Sequence, residues 1–478
     1  MTSIRGFLAA VVFFGIVFNV SAQHPKERAF AQKVSQTSMR NHVRNLVASG
    51  NRLGGTPSGD KSTDYVSRSF KRSGLATMIE VDPEKLVSIN HEWQLQVMEP
   101  RRLRQLIRNE WLGGYSPSVS RTTAPLQLLE QEEGVTSELS GAAVLTERQV
   151  TDRLYQSLVN AGVVCILSYA PADSTLYSDW AMISDLRESN ANAIPLFNLS
   201  YGNGTRLRKE LDQNTPVTIR FMSRTTITSG SPKTVVATLP GKSGKYYLVC
   251  AHGDSDSGGP GADDNASGVA GVLELARVFS SMMQSGQLSV PEKSIKFVIW
   301  GSEYYSTEHY VKRHQEQLEE ILGVLNYDEI GTGASRDCLY FESNDVPYHE
   351  DLMKIFNAVG EEYVDKPGFW KEATTNPSQG GTDSYVFMPE YLDRLDVPRA
   401  TIPSITIYTA AWNRPRTIPQ TPGWTSRAWK GHPDSVTIDY SRYYHSSLDI
   451  PERTTEREPF NMSWAVKAVG IALLRLAW

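Results

Sequence analysis

Tyr246-Tyr-Leu-Val-Cys-Ala-His-Gly-Asp254, followed by Gly261-Ala-Asp-Asp-Asn-Ala-Ser-Gly268, decides how this chain is read. The first stretch is an apolar run of strand length that ends in His252. The second is small and polar, and it leads into Val269, Val272, Leu273, Ala276 and Phe279, which recur at helical spacing. A buried strand that passes through a polar loop into an amphipathic helix is the repeating unit of an α/β fold. The pattern recurs downstream, where Ile295–Trp300 runs into Gly301-Ser302-Glu303 and Gly323–Tyr327 runs into Asp328-Glu329. Ser404–Thr409 reads as a further strand. Upstream, Met39, Val43, Leu46 and Val47 mark a helix over Thr37 to Val47, and Val66 and Phe70 mark a second one after the turn Asn51-Arg-Leu-Gly-Gly-Thr-Pro. The expectation is an α/β protein with a mostly parallel, mixed central sheet flanked by helices on both faces.

The chemistry falls at the ends of those strands. In open α/β sheets, ligands gather beyond the carboxyl ends of the strands. His252, Asp254, Asp264, Glu303 and Asp328 all stand there, and far downstream comes Tyr443-Tyr444-His445-Ser-Ser-Leu-Asp449. Imidazoles and carboxylates are the N/O donor set that zinc accepts. Asp254, next but one to His252, suits orienting the imidazole from behind. Each piece has a plainer reading: a packed histidine at a strand end, or a helix N-cap in Asp-Asp-Asn-Ala-Ser. The ordered set favours the metal.

From about Leu95 to Met222 the pattern shortens. Ser140 to Leu145, Val163 to Tyr169, Ile194 to Leu199 and Val217 to Phe221 read as strands, and Arg148 to Asn160 and Thr205 to Leu211 as helices. This is a smaller α/β block inserted in the chain, so the expected division is 1–22, 23–94, 95–226 and 227–478. The 478 residues suffice for two cores, and 40% hydrophobic with 21% charged side chains excludes a disordered chain. A net charge of −5 argues against a phosphate-neutralising nucleic-acid binder. Three cysteines make no disulfide framework; Cys165 and Cys250 lie in apolar runs as small buried hydrophobes. Arg5, the apolar stretch Gly6 to Phe18, and Val20-Ser21-Ala22 follow the secretory signal pattern, with an uncleaved anchor as the alternative. The expected location is therefore secreted or periplasmic, with no membrane contact after signal removal. Met462 to Trp478 is apolar but interrupted by Lys467 and Arg475, which predicts a buried terminal helix. Oligomeric state is not legible.

The order His-x-Asp, Gly-Ala-Asp-Asp-Asn-x-Ser-Gly, Trp-Gly-x-Glu, Asn-x-Asp-x-Ile-Gly and Tyr-His-x-x-x-Asp resembles the co-catalytic zinc exopeptidases. That family includes bacterial leucyl aminopeptidases, glutamate carboxypeptidases and the inactive transferrin receptor. The resemblance covers about Thr37 to Glu80 and Val235 to the end of the chain. It implies a zinc held by His252, Asp264 and Asp328, with Asp264 bridging to a second zinc that His445 ligates. It also implies a cis Asp264–Asn265 bond and Glu303 as the general base that activates water against a peptide bond. The inserted block resembles the protease-associated (PA) domain, through Gly141-Ala-Ala-Val-Leu, Ala161-Gly-Val-Val and Ile194-Pro-Leu-Phe-Asn-Leu-Ser. Thr382-Asp383-Ser384 falls where many relatives have Ser-Asp-His, which implies a place for Thr382 and Asp383 on the substrate wall.

One departure qualifies the resemblance. The family has two adjacent glutamates after Trp-Gly-x, the second a ligand of the zinc shared with His445. Here the chain reads Trp300-Gly301-Ser302-Glu303-Tyr304-Tyr305. Either Tyr304 takes the ligand position, as a phenol that a metal must deprotonate, or a carboxylate is missing. The expectation is one tight zinc site and a weakened second. The reading is a secreted zinc aminopeptidase acting on peptides. The alternatives are an inactive peptidase-like binding protein, a carboxypeptidase or a single-zinc cyclase. The Trp-, Arg- and Pro-bearing stretch Ala410 to Trp429 reads either as a pocket wall or as a surface loop.

Overall fold

The computed structural model describes residues 25–104, 111–147, 150–169, 194–256, 259–332, 338–343, 350–370, 372–377, 382–398, 400, 402–409, 443–445, 448–457 and 460–478. The expected signal segment and the stretch from Ala410 to Trp429 lie outside them.

Two sheets divide the chain. The first has eight strands in the order β1-β9-β11-β10-β12-β15-β13-β14. These are β1 (Ala76–Val81), β9 (Lys233–Leu239), β10 (Tyr246–His252), β11 (Ser294–Trp300), β12 (Ile321–Tyr327), β13 (Cys338–Ser343), β14 (Glu372–Pro377) and β15 (Ser404–Tyr408). The centre, β11-β10-β12-β15, is parallel, while β1 and β9 on one side and β13 against β15 on the other run antiparallel. The edges escaped the sequence reading because β1 is largely exposed and carries no continuous apolar run.

Alternate residues of the central strands feed two cores. Val249, Ala251, Phe297, Ile299, Leu325 and Ile407 face helices α1 (Pro25–Lys33), α2 (Gln36–Val47), α3 (Pro57–Arg72), α6 (Ala266–Gln284), α8 (Glu350–Tyr363) and α10 (Phe460–Ala477). Leu248, Cys250, Val298, Trp300 and Val324 face α7 (Tyr305–Arg313) and α9 (Pro389–Arg394). Each of the larger aliphatic and aromatic side chains among these contributes about 1.5–3 kcal/mol by leaving water, so this two-sided burial is a main source of the sheet's stability. Among the described residues α10 is the one helix long and apolar enough to cross a membrane, yet 78% of it is buried here. Its Arg475 reaches Glu27 of α1 at 2.8 Å and Glu362 of α8 at 2.5 Å, which fixes it as a core helix.

The second sheet has seven strands in the order β2-β8-β4-β5-β6-β7-β3. They are β2 (Lys85–Glu99), β3 (Trp111–Leu112), β4 (Val119–Leu129), β5 (Ala143–Thr146), β6 (Cys165–Tyr169), β7 (Leu196–Leu199) and β8 (Val217–Gly230), with α4 (Asp152–Asn160) on one face and α5 (Tyr201–Asp212) on the other. Its long ribbon β2–β8 pairs from Lys85↔Gly230 to Glu99↔Thr218, so the sheet reaches past the expected limits of 95 and 226. The outer half of β8 is threonine-rich and half exposed, which hid it from an apolar-run reading. At the root of the ribbon the backbones of Gly55 and Gly230 cross so closely that a Cβ on Gly230 would stand 2.0 Å from the Gly55 carbonyl. There the second sheet meets the first, and Lys85 Nζ donates to Ser302 Oγ at 2.9 Å.

Candidate metal centre

Three neighbouring parallel strands end side by side. β10 ends in His252, paired with Trp300 of β11, and Cys250 of β10 is paired with Asn326 of β12. The residues that follow β11 and β12 are therefore set beside His252. Ligand atoms of His252, Glu303 and Asp328 all lie within 4.8 Å of one another. Asp264 joins them from the loop before α6. Its Oδ1 is 3.2 Å from His252 Nε2 and its Oδ2 is 2.9 Å from His445 Nε2, so one carboxylate is shared by both imidazoles. The Asp264–Asn265 bond is cis. Asn265 also caps α6, accepting from Gly268 N–H at 2.8 Å and donating to the Tyr327 carbonyl at 2.8 Å. A Cβ on Gly268 would stand 2.2 Å from that cap oxygen, so only glycine lets α6 start so close to β12.

Buried polar groups hold these side chains in place. Arg52, fully buried, donates to the carbonyls of Gly253 at 3.1 Å, Gly261 at 3.0 Å and Pro260, and thereby clamps the loop between His252 and Asp264. Burial lowers its pKa to about 10, against the pull of Asp254, Asp449 and Asp264, and it stays charged at neutral pH. The Asp449 carboxylate accepts from the backbone N–H of Asp263 at 2.9 Å and of Asp264 at 3.1 Å. Asp263 accepts from Gly331 N–H at 2.6 Å and from the Thr332 hydroxyl. Thr382 Oγ1 donates to Asp328 Oδ2 at 2.5 Å and accepts from Asn326 at 2.9 Å.

The electrostatics are those of a site built around positive charge. Burial, joined by Asp328 and Asp383, drives the Glu303 pKa well above the usual carboxylate range, although His252 opposes it. Burial also raises Asp383 to about 7. Asp264 is held below the usual range because its hydrogen bonds to His252 and His445 outweigh its burial. Burial disfavours charged His252, but Glu303 and Asp328 raise its pKa nonetheless. Carboxylates crowded this closely in low dielectric repel strongly unless a cation sits among them. Asp328 Oδ1 is buried, has no hydrogen-bond donor among the described residues and stands 3.5 Å from His252 Nε2. An orphaned carboxylate oxygen beside an imidazole nitrogen and a shared carboxylate fits a divalent cation.

The structure thus brings His252, Asp254, Asp264, Glu303, Asp328 and His445 together. It treats the other candidates differently. The Tyr304 ring stacks on Tyr391 at 6.5 Å against the core beneath α7, and its amide donates to Asp383 at 2.9 Å. Burial, and then Glu303, keep its phenol protonated. Thr382 and Asp383, expected on the substrate wall, stand behind the site instead. Asp383 is fully buried, accepting from Tyr304 N–H and from Thr307 Oγ1 at 2.5 Å. They point this way because the short helical turn that carries them packs under β12 and β15 rather than over the cleft. The cleft itself, about 570 Å³, is lined by His252, Asp264, Glu303 and His445 together with Tyr304, Leu53, Lys85 and Leu86, so Tyr304 borders the site although its ring packs on Tyr391. Sequence reasoning missed Arg52 altogether, because its turn carries no ligand-like pattern. It also missed Asp256, whose Oδ2 lies 3.1 Å from His445 Nδ1. The alternation His252-Gly-Asp254-Ser-Asp256 was the available signal.

A family model described as Peptidase family M28 matches residues 234–469, which carry every one of these ligand positions. A protein named Probable lipoprotein aminopeptidase LpqL, from Mycobacterium tuberculosis, is 25% identical over 323 residues, 64% of this chain and 61% of that one. A Pseudomonas aeruginosa protein named Aminopeptidase is 22% identical over 314 residues, 61% of this chain and 56% of that one. The chain thus spans 61% and 56% of the length of these curated relatives. Among solved structures, a Peptidase M28 precursor from Shewanella amazonensis aligns with TM-score 0.66 at 16% identity, covering 94% of this chain and 95% of that one. A zinc aminopeptidase from Bacillus subtilis aligns with TM-score 0.62 at 19% identity, covering 93% and 95%. These structures share the fold. With the fold, the ordered ligands and the matched segment in agreement, the segment from residue 234 to 469 belongs to peptidase family M28.

Proposed function

We propose that this chain is a zinc-dependent exopeptidase of the aminopeptidase type that acts on peptides outside the cytoplasm. The observation that carries the reading is the Asp264 carboxylate shared between His252 and His445, with the Glu303 carboxyl beside it. The names of the relatives support zinc and aminopeptidase chemistry. The signal-like first 22 residues and the lipoprotein relative support export. The second sheet is a protease-associated module on this reading.

His252, Asp264 and Asp328 would hold one zinc, and Asp264 with His445 a second, where the metal would supply Lewis-acid polarisation of a carbonyl and of water. Glu303 faces that space, its carboxyl held well above the usual range by burial, and stands where a general base would act. It takes a proton from the attacking water and returns it to the leaving amine. Its backbone N–H donates to Asp254 Oδ1 at 3.0 Å, and the same oxygen lies 3.2 Å from His252 Nδ1, so base and imidazole share one support. Leu53 and Leu86 give the cleft apolar walls for a substrate side chain.

The test is metal analysis of the purified chain beside peptides with free or blocked termini. Bound zinc with cleavage of free, but not N-acetylated, peptides is the expected result. Equal cleavage of acetylated peptides removes the aminopeptidase label. The second reading, a peptidase-like binding protein, is favoured by Tyr304 standing where the family has a carboxylate. It requires that neither peptide be cut even with zinc bound.

A further inference from the structure

We infer that Asp256 is the positioning residue of His445, and that it supports the second half of the metal centre where the family's second glutamate is missing. The inference rests on the zinc reading above. The segment His252-Gly-Asp254-Ser-Asp256 supplies three of the groups in one row. Asp254 Oδ1 lies 3.2 Å from Nδ1 of His252, and Asp256 Oδ2 lies 3.1 Å from Nδ1 of His445. Both imidazoles turn Nε2 towards Asp264, at 3.2 and 2.9 Å. The arrangement Asp254–His252–Asp264–His445–Asp256 is therefore symmetric in its contacts about Asp264.

A carboxylate at Nδ1 fixes the imidazole tautomer and ring direction, leaving the Nε2 lone pair for the metal, and makes that nitrogen a better donor. His445 needs such a support more than His252 does. It has a φ of 47°, which strains a residue with a Cβ, and its side chain is 25% exposed against 5% for His252. The neighbouring Tyr444 ring, 3.6 Å away between centroids, restrains one face only and carries no charge. Asp256 restores a negative charge on the His445 side, where Tyr304 brings none. It is itself held by the loop that Arg52 clamps and that Ser255 closes by donating to the Gly259 carbonyl at 2.8 Å. Because Asp256 meets Nδ1 while Asp264 meets Nε2, it stands behind the ring and acts through His445.

The experiment is a zinc titration of the metal-free full-length chain against a chromophoric chelator, carried to millimolar zinc so that weak sites fill. Asp256→Asn is expected to weaken the second equivalent by about 10- to 100-fold, the usual loss when a ligand's carboxylate partner is removed, and to leave the first unchanged. Asp254→Asn is expected to weaken the first. Asp256→Glu should recover part of the second-site affinity, which a role in packing alone would not produce. Equal loss of both equivalents in Asp256→Asn, or loss of neither, overturns the inference. So does a wild-type chain that binds one equivalent and never a second, although the peptidase reading then survives. A wild-type chain that binds no zinc defeats that reading instead.

Discussion

His252 closes a strand that is buried along its whole length and paired on both sides, whereas His445 lies in no strand or helix and has a positive φ. The two rings meet the same carboxylate, yet their supports differ in kind. On the His252 side, Glu303 and Asp328 follow directly after the adjacent strands β11 and β12, so strand register brings them beside His252 before any side chain acts. On the His445 side, Asp264 and Asp256 come from one clamped loop, and the position after Glu303 holds an uncharged, half-buried aromatic ring that lines the cleft. A site half built on strand ends survives sequence drift as long as the sheet does. One built on loops depends on individual side chains, and there the departure from the family has occurred.

The largest expected effects fall on the strand-end half. His252→Ala should empty the first site and abolish hydrolysis. Glu303→Ala should keep the metal and lower turnover by about 10²–10⁴-fold, the scale of a lost general base. Zinc content and kcat measured on the same preparations separate the two. A Glu303→Ala chain with unchanged turnover would remove the proposed mechanism.

The loop half is expected to be improvable. In the native chain the second zinc has Asp264 and His445 as its firm ligands, while catalytic zinc generally takes about three protein ligands. Tyr304→Glu should therefore raise zinc content from about one per chain towards two at equal free zinc. The introduced carboxylate and Asp264 repel without metal, so the variant should also melt earlier in chelator and gain more from zinc than the native chain does. Two tightly held zincs in the native chain would mean that another group already completes the site.

A smaller effect tests how far the first half depends on what stands behind it. Thr382→Val removes the hydroxyl that donates to Asp328 Oδ2, so first-site zinc affinity should fall by about 10- to 100-fold with the second site unchanged. A drop in both sites, or in neither, would place Thr382 outside this support.

Thr382 also illustrates what was legible. The central strands, with His252, Glu303 and Asp328 just beyond their ends, follow from apolar runs ending in polar residues, because a parallel sheet gathers its chemistry at the carboxyl ends of its strands. Asp264 and His445, by contrast, were legible only from the order of the motifs. The supports were not legible in this way. Arg52 lies far upstream in a turn that reads as mere punctuation, and its role exists only once the loop from Gly253 to Gly261 folds over it. Asp383 resembled a wall residue by position, but its orientation is set by Thr307 and Tyr304, which no local pattern predicts. The second sheet's outer ribbon was missed for a different reason. Half-exposed threonine strands carry too little apolar signal for a run-based reading.

Acid weakens any histidine–carboxylate centre, so the comparison between its halves requires the scaffold's own acid sensitivity to be known. His42 supplies it. It lies on α2 against α3, its Nδ1 2.8 Å from the Tyr65 hydroxyl. Burial, only partly offset by Glu274, lowers its pKa to about 4. Between the unfolded value of 6.5 and about 4, the unfolded chain thus binds a proton that the folded chain refuses. Stability from this group is complete above the unfolded pKa and is lost as the pH falls, about 3 kcal/mol in all. His42→Gln keeps a hydrogen-bonding group for Tyr65 but does not titrate. Urea unfolding in chelator at pH 7, 5.5 and 4 should show a flatter acid limb in the variant, with the gap confined to that window. An unchanged acid limb would assign the scaffold's acid sensitivity elsewhere. The metal centre's own pH dependence would then have to be measured against a different reference.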